Sequence, residues 1–152
     1  MTISPVIRSC DIAASLEHAF DVFTIGIARW WDKDKSINQG IPMREAVLEP
    51  FAGGRWYERG EDGSECEWGK VLIWDRPNRL VLAWQINAQW AYDANLITEV
   101  DIVFTATDSQ HTRVDLEHRN LERFGDQALA ARGALDSPGG WSGLLEAFRA
   151  AI

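Results

Sequence analysis

The sequence contains few of the features that mark secreted, membrane-spanning or disulfide-bonded proteins. It has two cysteines in 152 residues, Cys10 and Cys66, and both lie inside predicted strands without the spacing of metal ligands. Small buried thiols in a reducing compartment are therefore favoured over a disulfide. No apolar run is long enough to span a bilayer, and the first residues lack the basic and apolar regions of a signal peptide. These absences predict a cytoplasmic protein that does not insert into membranes.

Positive charge is also scarce. The chain has 15 lysines and arginines against 23 aspartates and glutamates, which gives a net charge of −8 and a pI near 4.8. Nucleic acids and anionic membrane surfaces are bound through basic stripes, and none is visible. We therefore expect no nucleic-acid partner.

The familiar catalytic motifs are missing. The sequence has no GxSxG, Walker, dinucleotide-binding or HExxH pattern, and the Gly53-Gly54 pair reads as a bend before a strand. No set of metal ligands and no pair of nucleophile and base is evident. We expect no catalytic residue, no metal and no cofactor, and a non-enzymatic role is favoured.

Tryptophan is abundant, with eight residues in the chain. Trp56, Trp68, Trp74 and Trp84 fall within residues 51–86, in three runs rich in β-branched and aromatic residues. Two turn signals, at residues 60–63 and 75–78, separate these runs, a pattern typical of consecutive antiparallel strands. The length and the hydrophobic content of 46% indicate one domain over residues 1–152.

The remaining elements give an α+β order. Residues 6–12 form a predicted strand, and Ser15 caps a helix that is followed by a short helical turn around Trp30 and Trp31. The other predicted elements are strands at residues 44–48, 80–86, 98–106 and 112–118, and helices at 126–135 and 139–151. Phe104 should pair with Val114. The last helix carries a broad apolar face, which predicts a curved antiparallel sheet of about six to seven strands wrapped around it.

Several motifs occur in an order that we associate with a known superfamily. They are Trp30-Trp31, Glu49-Pro50 with residues 53–56, residues 68–71, residues 75–84, residues 112–118 and Gly140-Trp141. Over residues 6–152 the chain resembles the START/birch-pollen-allergen-like (SRPBCC) superfamily, and within it the homologues of the activator of heat-shock-protein-90 ATPase. The resemblance implies a helix-grip fold with a cavity between the sheet and the C-terminal helix. It leaves activity open, since members bind lipids, hormones or polyketides and some act as cyclases or aromatases.

Side-chain alternation along the strands predicts which residues face the helix. When this alternation is followed back along the strands from the regular pattern at residues 98–106, Trp56, Glu58 and Glu67 are predicted to face inward. The same count turns four large residues outward, namely Tyr57, Trp68, Leu72 and Trp74. Such an apolar patch indicates either a bulge that redirects some of them or a second subunit, and we expect a homodimer.

The predicted ligand-binding residues are Trp31, Trp56, Glu67, Trp84, Phe104, Leu116, His118, Trp141 and Phe148. His118 has two interpretations: a group that binds a ligand carbonyl or carries a proton, or a core histidine held by a backbone carbonyl or a carboxylate. Glu58 and Glu67 are either paired acid–base carboxylates or solvated residues near a sheet edge. Trp90 and Tyr92 form either a lid or a pin at the end of a hairpin.

Three functions follow as hypotheses. The first is non-enzymatic binding of a small hydrophobic or aromatic ligand in the cavity. The second is a protein-interaction module that stimulates a chaperone ATPase of the heat-shock-protein-90 type. The third is a cyclase or aromatase that uses His118 and a carboxylate in the same cavity.

Overall fold

The computed structural model describes residues 2–152 and contains one antiparallel sheet of seven strands. The strands are β1 (Val6–Ile12), β2 (Met43–Leu48), β3 (Arg55–Gly60), β4 (Glu65–Asp75), β5 (Arg79–Trp84), β6 (Thr98–Asp108) and β7 (His111–Arg119). Their order across the sheet is β1-β7-β6-β5-β4-β3-β2. Every hydrogen-bonded pair of strands except β1–β7 joins neighbours in sequence, so the sheet is built largely from hairpins. The sheet curls into a half-barrel.

The register confirms the predicted pairing at the regular end of the sheet. Phe104 lies opposite Val114 on the β6–β7 hairpin. Gly69 lies opposite Trp84, where a Cβ would come within 1.7 Å of the Ala83 carbonyl oxygen, so the backbone approach itself requires a glycine.

The helices are short and lie in two segments of the chain, one between β1 and β2 and one after β7. They are α1 (Leu16–Phe23), α2 (Ala128–Asp136) and α3 (Gly143–Ala150), with 3₁₀ turns at Ile27–Arg29, Lys33–Lys35 and Leu121–Gln127. Ser15 caps α1 as predicted, since its hydroxyl accepts a hydrogen bond from the His18 amide. The final helix is shorter than predicted: a π-turn at Pro138–Ser142 precedes it, and Gly140 leaves the helical region with φ −90° and ψ −133°.

Aromatic packing joins the helices to the concave face of the sheet. Phe148 of α3 is fully buried, and its ring centroid lies 5.1 Å from that of Phe23 and 5.5 Å from that of Trp30. Phe23 in turn packs edge-on against Phe104 of β6. The α+β class and the helix-grip architecture are therefore confirmed. No helix among residues 2–152 has the length and apolar character needed to cross a bilayer.

Two bulges in β4 correct the predicted parity. Trp68 is an extra residue between the Trp56–Gly69 and Tyr57–Glu67 pairs, and Leu72 is an extra residue next to Ile73. Trp68 is consequently 1% exposed, and Trp74 packs edge-on against Phe20 in the interior. The prediction that both tryptophans lie on the outer face is wrong. Because these two tryptophans do not lie on the outer face, the apolar patch from which a homodimer was predicted lacks its two largest side chains.

The first bulge also overturns the predicted orientation of Glu67. The residue shares the outer face with Tyr57, and its carboxylate pairs with the guanidinium of Arg55 while 34% of the side chain remains exposed. Because Trp68 occupies the inward position, Glu67 cannot orient a ligand inside the fold.

Candidate ligand-binding site

A pocket of about 380 Å³ lies between the sheet, the loop that follows α1 and the joint of α2 and α3. Its lining residues are Trp31, Asp34, Lys35, Ser36, Ile37, Trp68, Trp84, Ile86, Trp90, Ala134, Leu135, Ser137, Gly139, Gly140, Trp141 and Leu144. The volume is in the range of small-molecule sites, roughly 300–1,000 Å³. A second pocket of about 140 Å³ adjoins it and shares Trp84, Trp90 and Leu135.

Five tryptophans from separate parts of the chain form much of the pocket wall. The ring centroid of Trp31 lies 5.0 Å from that of Trp68 and 6.2 Å from that of Trp141, and Trp84 lies 5.8 Å from Trp141. Such tilted and edge-on pairs contribute about 0.5–1.5 kcal/mol each beyond the burial of their area. The fifth, Trp90, is 50% exposed. The wall is therefore aromatic, and it is open to solvent at Trp90.

The buried indole N–H groups differ in whether they have a partner. Four of them donate hydrogen bonds: Trp30 to the Val22 carbonyl, Trp68 to Glu58, Trp84 to the Ile86 carbonyl and Trp141 to His118. Within residues 2–152, the Nε1 atoms of Trp31 and Trp56 are buried without a protein acceptor. Only Trp31 of these two lines the pocket.

Glu58 is a buried carboxylate that faces the interior from β3. It is 0% exposed and accepts three hydrogen bonds: from the Ser36 hydroxyl at 2.5 Å, the Ile37 amide at 2.7 Å and the Trp68 indole at 3.0 Å. Three donors satisfy much of the carboxylate's hydrogen-bonding capacity. Its contacts fix one wall of the pocket, since Ser36, Ile37 and Trp68 all line it.

His118 is held in one neutral tautomer inside the core. Trp141 Nε1–H donates to His118 Nδ1 at 3.1 Å, so the ring proton belongs on Nε2, which lies 2.8 Å from Thr98 Oγ1. The Thr98 hydroxyl then donates to the Trp84 carbonyl oxygen. Burial lowers the pKa of His118 to about 3. With both nitrogens occupied, this residue is not available to carry a proton at neutral pH, and its partners are an indole and a hydroxyl instead of the expected carbonyl or carboxylate.

The polar part of the pocket comes from the loop after α1. Asp34, Lys35 and Ser36 line it, and the Lys35 ammonium donates a hydrogen bond to the Gly139 carbonyl oxygen on the opposite side. This bond links the loop to the joint between α2 and α3. Among residues 2–152, no group of three or more His, Cys, Asp or Glu side chains is placed to hold a metal ion.

The structure brings three of the nine predicted site residues to the pocket surface: Trp31, Trp84 and Trp141. Five others are buried in the core without lining it, namely Trp56, Phe104, Leu116, His118 and Phe148. Glu67 lies on the outer face, as described above. The pocket is therefore displaced from the centre of the sheet towards the loop after α1 and the β5–β6 connection.

Sequence reasoning missed Trp68 and the polar loop residues. The bulge that turns Trp68 inward has no sequence signature that fixes its position, although the large residues predicted on the outer face indicate either a bulge or a second subunit. Lys35 and Ser36 belong to a loop without periodicity, so only the tertiary structure places them beside Trp141. Trp90 is an aromatic residue in a predicted loop, and this position is the basis of the lid hypothesis.

The sheet is curved, it encloses the C-terminal helix, and a pocket lies between them. These features together define a helix-grip protein of the SRPBCC superfamily. The chain belongs to the family described as Activator of Hsp90 ATPase homolog 1-like protein, whose model matches residues 13–152. The resemblance seen in the sequence is thereby confirmed. Comparison with the curated proteins gave no match.

Solved structures of related proteins carry different functional descriptions. One, described as an anthrahydroquino-gamma-pyrone synthase, Txn09, complexed with SUM, is 39% identical with a TM-score of 0.69, and the alignment covers 99% of this chain and 98% of that one. The self-sacrificing resistance protein CalC from Micromonospora echinospora is 30% identical with a TM-score of 0.72, over 97% and 92% of the two chains. An HSP90 activator from Plasmodium falciparum is 17% identical with a TM-score of 0.50, over 78% and 74%, and shows a shared fold only.

Proposed function

We propose that this protein binds a small aromatic molecule in the tryptophan-lined pocket. The observation that carries the proposal is the pocket itself, which has about 380 Å³ of space beside Trp31, Trp68, Trp84, Trp90 and Trp141. Removing a flat apolar ligand from water contributes roughly 25 cal/mol per Å² of buried surface before the costs of association. Stacking against indole faces adds a preference for aromatic over aliphatic ligands.

The relative that is 39% identical supports an aromatic ligand. The 39% identical protein is described as a synthase of an anthrahydroquino-gamma-pyrone, a fused aromatic ring system. The 30% identical protein is described as a resistance protein. The second description names no molecule, so the support for an aromatic ligand comes from the first.

The test uses an uncharged fluorescent probe, N-phenyl-1-naphthylamine, whose emission rises in apolar surroundings. The native chain should give a saturable rise with one site. Ala134 lines the pocket on α2, so Ala134→Phe should fill it and reduce affinity by at least about tenfold, which corresponds to ~1.4 kcal/mol.

The matched control is Leu129→Phe on the same helix, because Leu129 is 69% exposed and does not line the pocket. That variant should bind the probe like the native chain. Absence of a saturable signal in the native chain, or equal binding by both variants, would remove the proposal.

A second candidate is an enzyme that acts on such a ligand in the same pocket, favoured by the synthase at 39% identity. His118 is locked, so the titratable side chains on the pocket lining are those of Asp34 and Lys35. Conversion of a bound aromatic polyketide, followed by mass spectrometry, would distinguish catalysis from binding. An enzyme should lose turnover in Asp34→Asn or Lys35→Met while these variants still bind the probe.

A third candidate is stimulation of a heat-shock-protein-90 ATPase, for which the family description is the support. A concentration-dependent rise in ATP turnover by the chaperone, unchanged by Ala134→Phe, would favour it over ligand binding. A cytoplasmic location and a homodimer remain predictions from the sequence.

A further inference from the structure

Lys35 places a positive charge at the aromatic pocket. Within residues 2–152 it is the one lysine or arginine that lines the pocket. Its half-buried side chain reaches the joint of α2 and α3, where the ammonium donates a hydrogen bond to the Gly139 carbonyl oxygen. No carboxylate in this part of the chain forms an ion pair with it, although the sequence has 23 acidic residues. The fold therefore leaves this charge without a counterion.

The ammonium of Lys35 has both the donors and the space to bind a ligand oxygen. An ammonium has three N–H donors, and the bond to Gly139, which lies at a solvent-exposed position, uses one of them. Gly139 lines the pocket and has no side chain to fill the space next to this bond. A Cβ there would lie 3.9 Å from Lys35 Nζ and 3.9 Å from Ser137 Oγ, with no closer side chain from beyond the adjacent residues. A ligand oxygen can therefore reach the ammonium from the pocket.

Two acidic side chains on the same side of the pocket oppose an anion less than Lys35 attracts it. Asp34 lines the pocket but is exposed, and its carboxylate lies beyond ion-pair distance from the ammonium, so water and salt screen its charge. Glu58 does not line the pocket, and its carboxylate accepts three hydrogen bonds from its own neighbours. A direct charge-assisted hydrogen bond to Lys35 is stronger than these screened interactions.

Building on the proposed function, we propose that the ligand is an aromatic acid whose carboxylate accepts a hydrogen bond from the Lys35 ammonium. The tryptophan wall selects the flat ring system. The ammonium selects the anionic group and directs it towards Gly139, so the rings lie along the indoles of the wall. Lys35 is thus a specificity-determining residue of the binding site.

Two probes of matched shape test this assignment: 2-naphthoate, which is an anion, and 2-naphthamide, which is neutral. Equilibrium dialysis measures both affinities. The native chain should bind the carboxylate at least about threefold more tightly, the effect expected for one partly exposed ion pair. Lys35→Met should lose this preference. The matched control is Lys33→Met, which removes the same charge from the same 3₁₀ turn at an exposed position that does not line the pocket, and it should keep the preference.

Several results would overturn the role of Lys35 while leaving ligand binding intact. They are equal affinity of the native chain for the two naphthalene probes, an equal loss of preference in both lysine variants, and failure of both probes to bind when N-phenyl-1-naphthylamine does bind. If N-phenyl-1-naphthylamine also fails to bind, the proposed function itself is wrong.

The salt dependence of the native chain covers the case in which Lys35→Met fails to fold. When NaCl is raised from about 0.05 M to about 0.5 M, the preference for naphthoate over naphthamide should shrink, because salt screens the attraction to the ammonium. The net charge of −8 alone would give the opposite change, since screening would then relieve a repulsion. A constant or growing preference for naphthoate would contradict the assignment.

Discussion

A single carboxylate, Glu58, organises the side of the pocket that faces the loop after α1. It is fully buried, and no lysine or arginine is within ion-pair distance of it among residues 2–152. Its stability inside the protein depends on the donors of Ser36, Ile37 and Trp68. Hydrogen bonds to a charged acceptor are stronger than those between neutral groups. We infer that Glu58 positions these three residues and does not act as a catalytic acid or base.

Two substitutions of Glu58 distinguish how much the shape of its side chain and how much its hydrogen bonds contribute to stability. In Glu58→Gln the amide oxygen can accept from Ile37 and Trp68 while its NH₂ donates to the Ser36 hydroxyl, so the loss should be about 1 kcal/mol. Glu58→Ala removes all the acceptors and should cost about 3 kcal/mol or more. Urea unfolding followed by circular dichroism measures both. Equal stability of the two variants would contradict a positioning role.

At the scale of strands, the regular half of the sheet could be predicted and the bulged half could not. Period-two alternation in β6 and β7 fixes both register and facing, and Phe104 pairs with Val114 as expected. In β4 the extra residues Trp68 and Leu72 interrupt the alternation, and that is why the predicted facing of Glu67, Trp68 and Trp74 is wrong. Trp56 and Glu58, on the neighbouring strand, face the interior as predicted. The site residues taken from this strand therefore could not be derived from the sequence pattern alone.

The β5–β6 connection, residues 85–97, holds Trp90 at the pocket in an unusual backbone conformation. Trp90 has φ 61°, a left-handed value that a bulky residue seldom adopts. The side chain of Asn87 stabilises the loop by accepting from the amides of Gln89 and Ala91. Because Trp90 borders both adjoining pockets, we infer that its indole covers the gap between them.

Trp90→Gly should therefore open the site. Glycine adopts the left-handed conformation without strain, and loss of the indole should raise the rates of both association and dissociation of N-phenyl-1-naphthylamine by roughly tenfold, a barrier change of ~1.4 kcal/mol. Stopped-flow fluorescence measures both rates. Gln89→Gly adds the same flexibility to the loop without removing an aromatic ring and should leave them unchanged. Unchanged rates in Trp90→Gly would favour the alternative in which this residue only pins the hairpin.

For the whole molecule, stability depends more on the aromatic core than on the many ion pairs of the outer face. Partial burial disfavours the charged form of Asp101, but the guanidinium groups of Arg79 and Arg119 hold the pKa of its carboxyl below the ordinary value. The partners of Asp101 are 41% and 30% exposed, and pairs of this kind contribute about 0–1 kcal/mol each.

The fold class could be predicted because it follows from the order of elements and the apolar faces. The position of the pocket could not, because it depends on loops that meet only in three dimensions.

Buried His118 links the stability of the entire chain to pH. Its pKa is about 3 in the folded state, against an ordinary value of 6.5. Between these values the unfolded chain binds a proton that the folded chain excludes, so stability falls as the pH drops below 6.5 and is unaffected by this group above it. The slope is about 1.4 kcal/mol per pH unit, which gives a loss of about 2 kcal/mol between pH 8 and pH 5.

His118→Gln provides the comparison, because its amide can accept from Trp141 and donate to Thr98 without titrating. Urea unfolding of both proteins at pH 8 and pH 5 isolates the contribution of the imidazole, since the other titrating groups are common to the two chains. The native protein should lose about 2 kcal/mol more than the variant on acidification. Parallel losses would show that the histidine is already protonated in the folded state at pH 5, and the neutral network of Trp141, His118 and Thr98 would have to be abandoned.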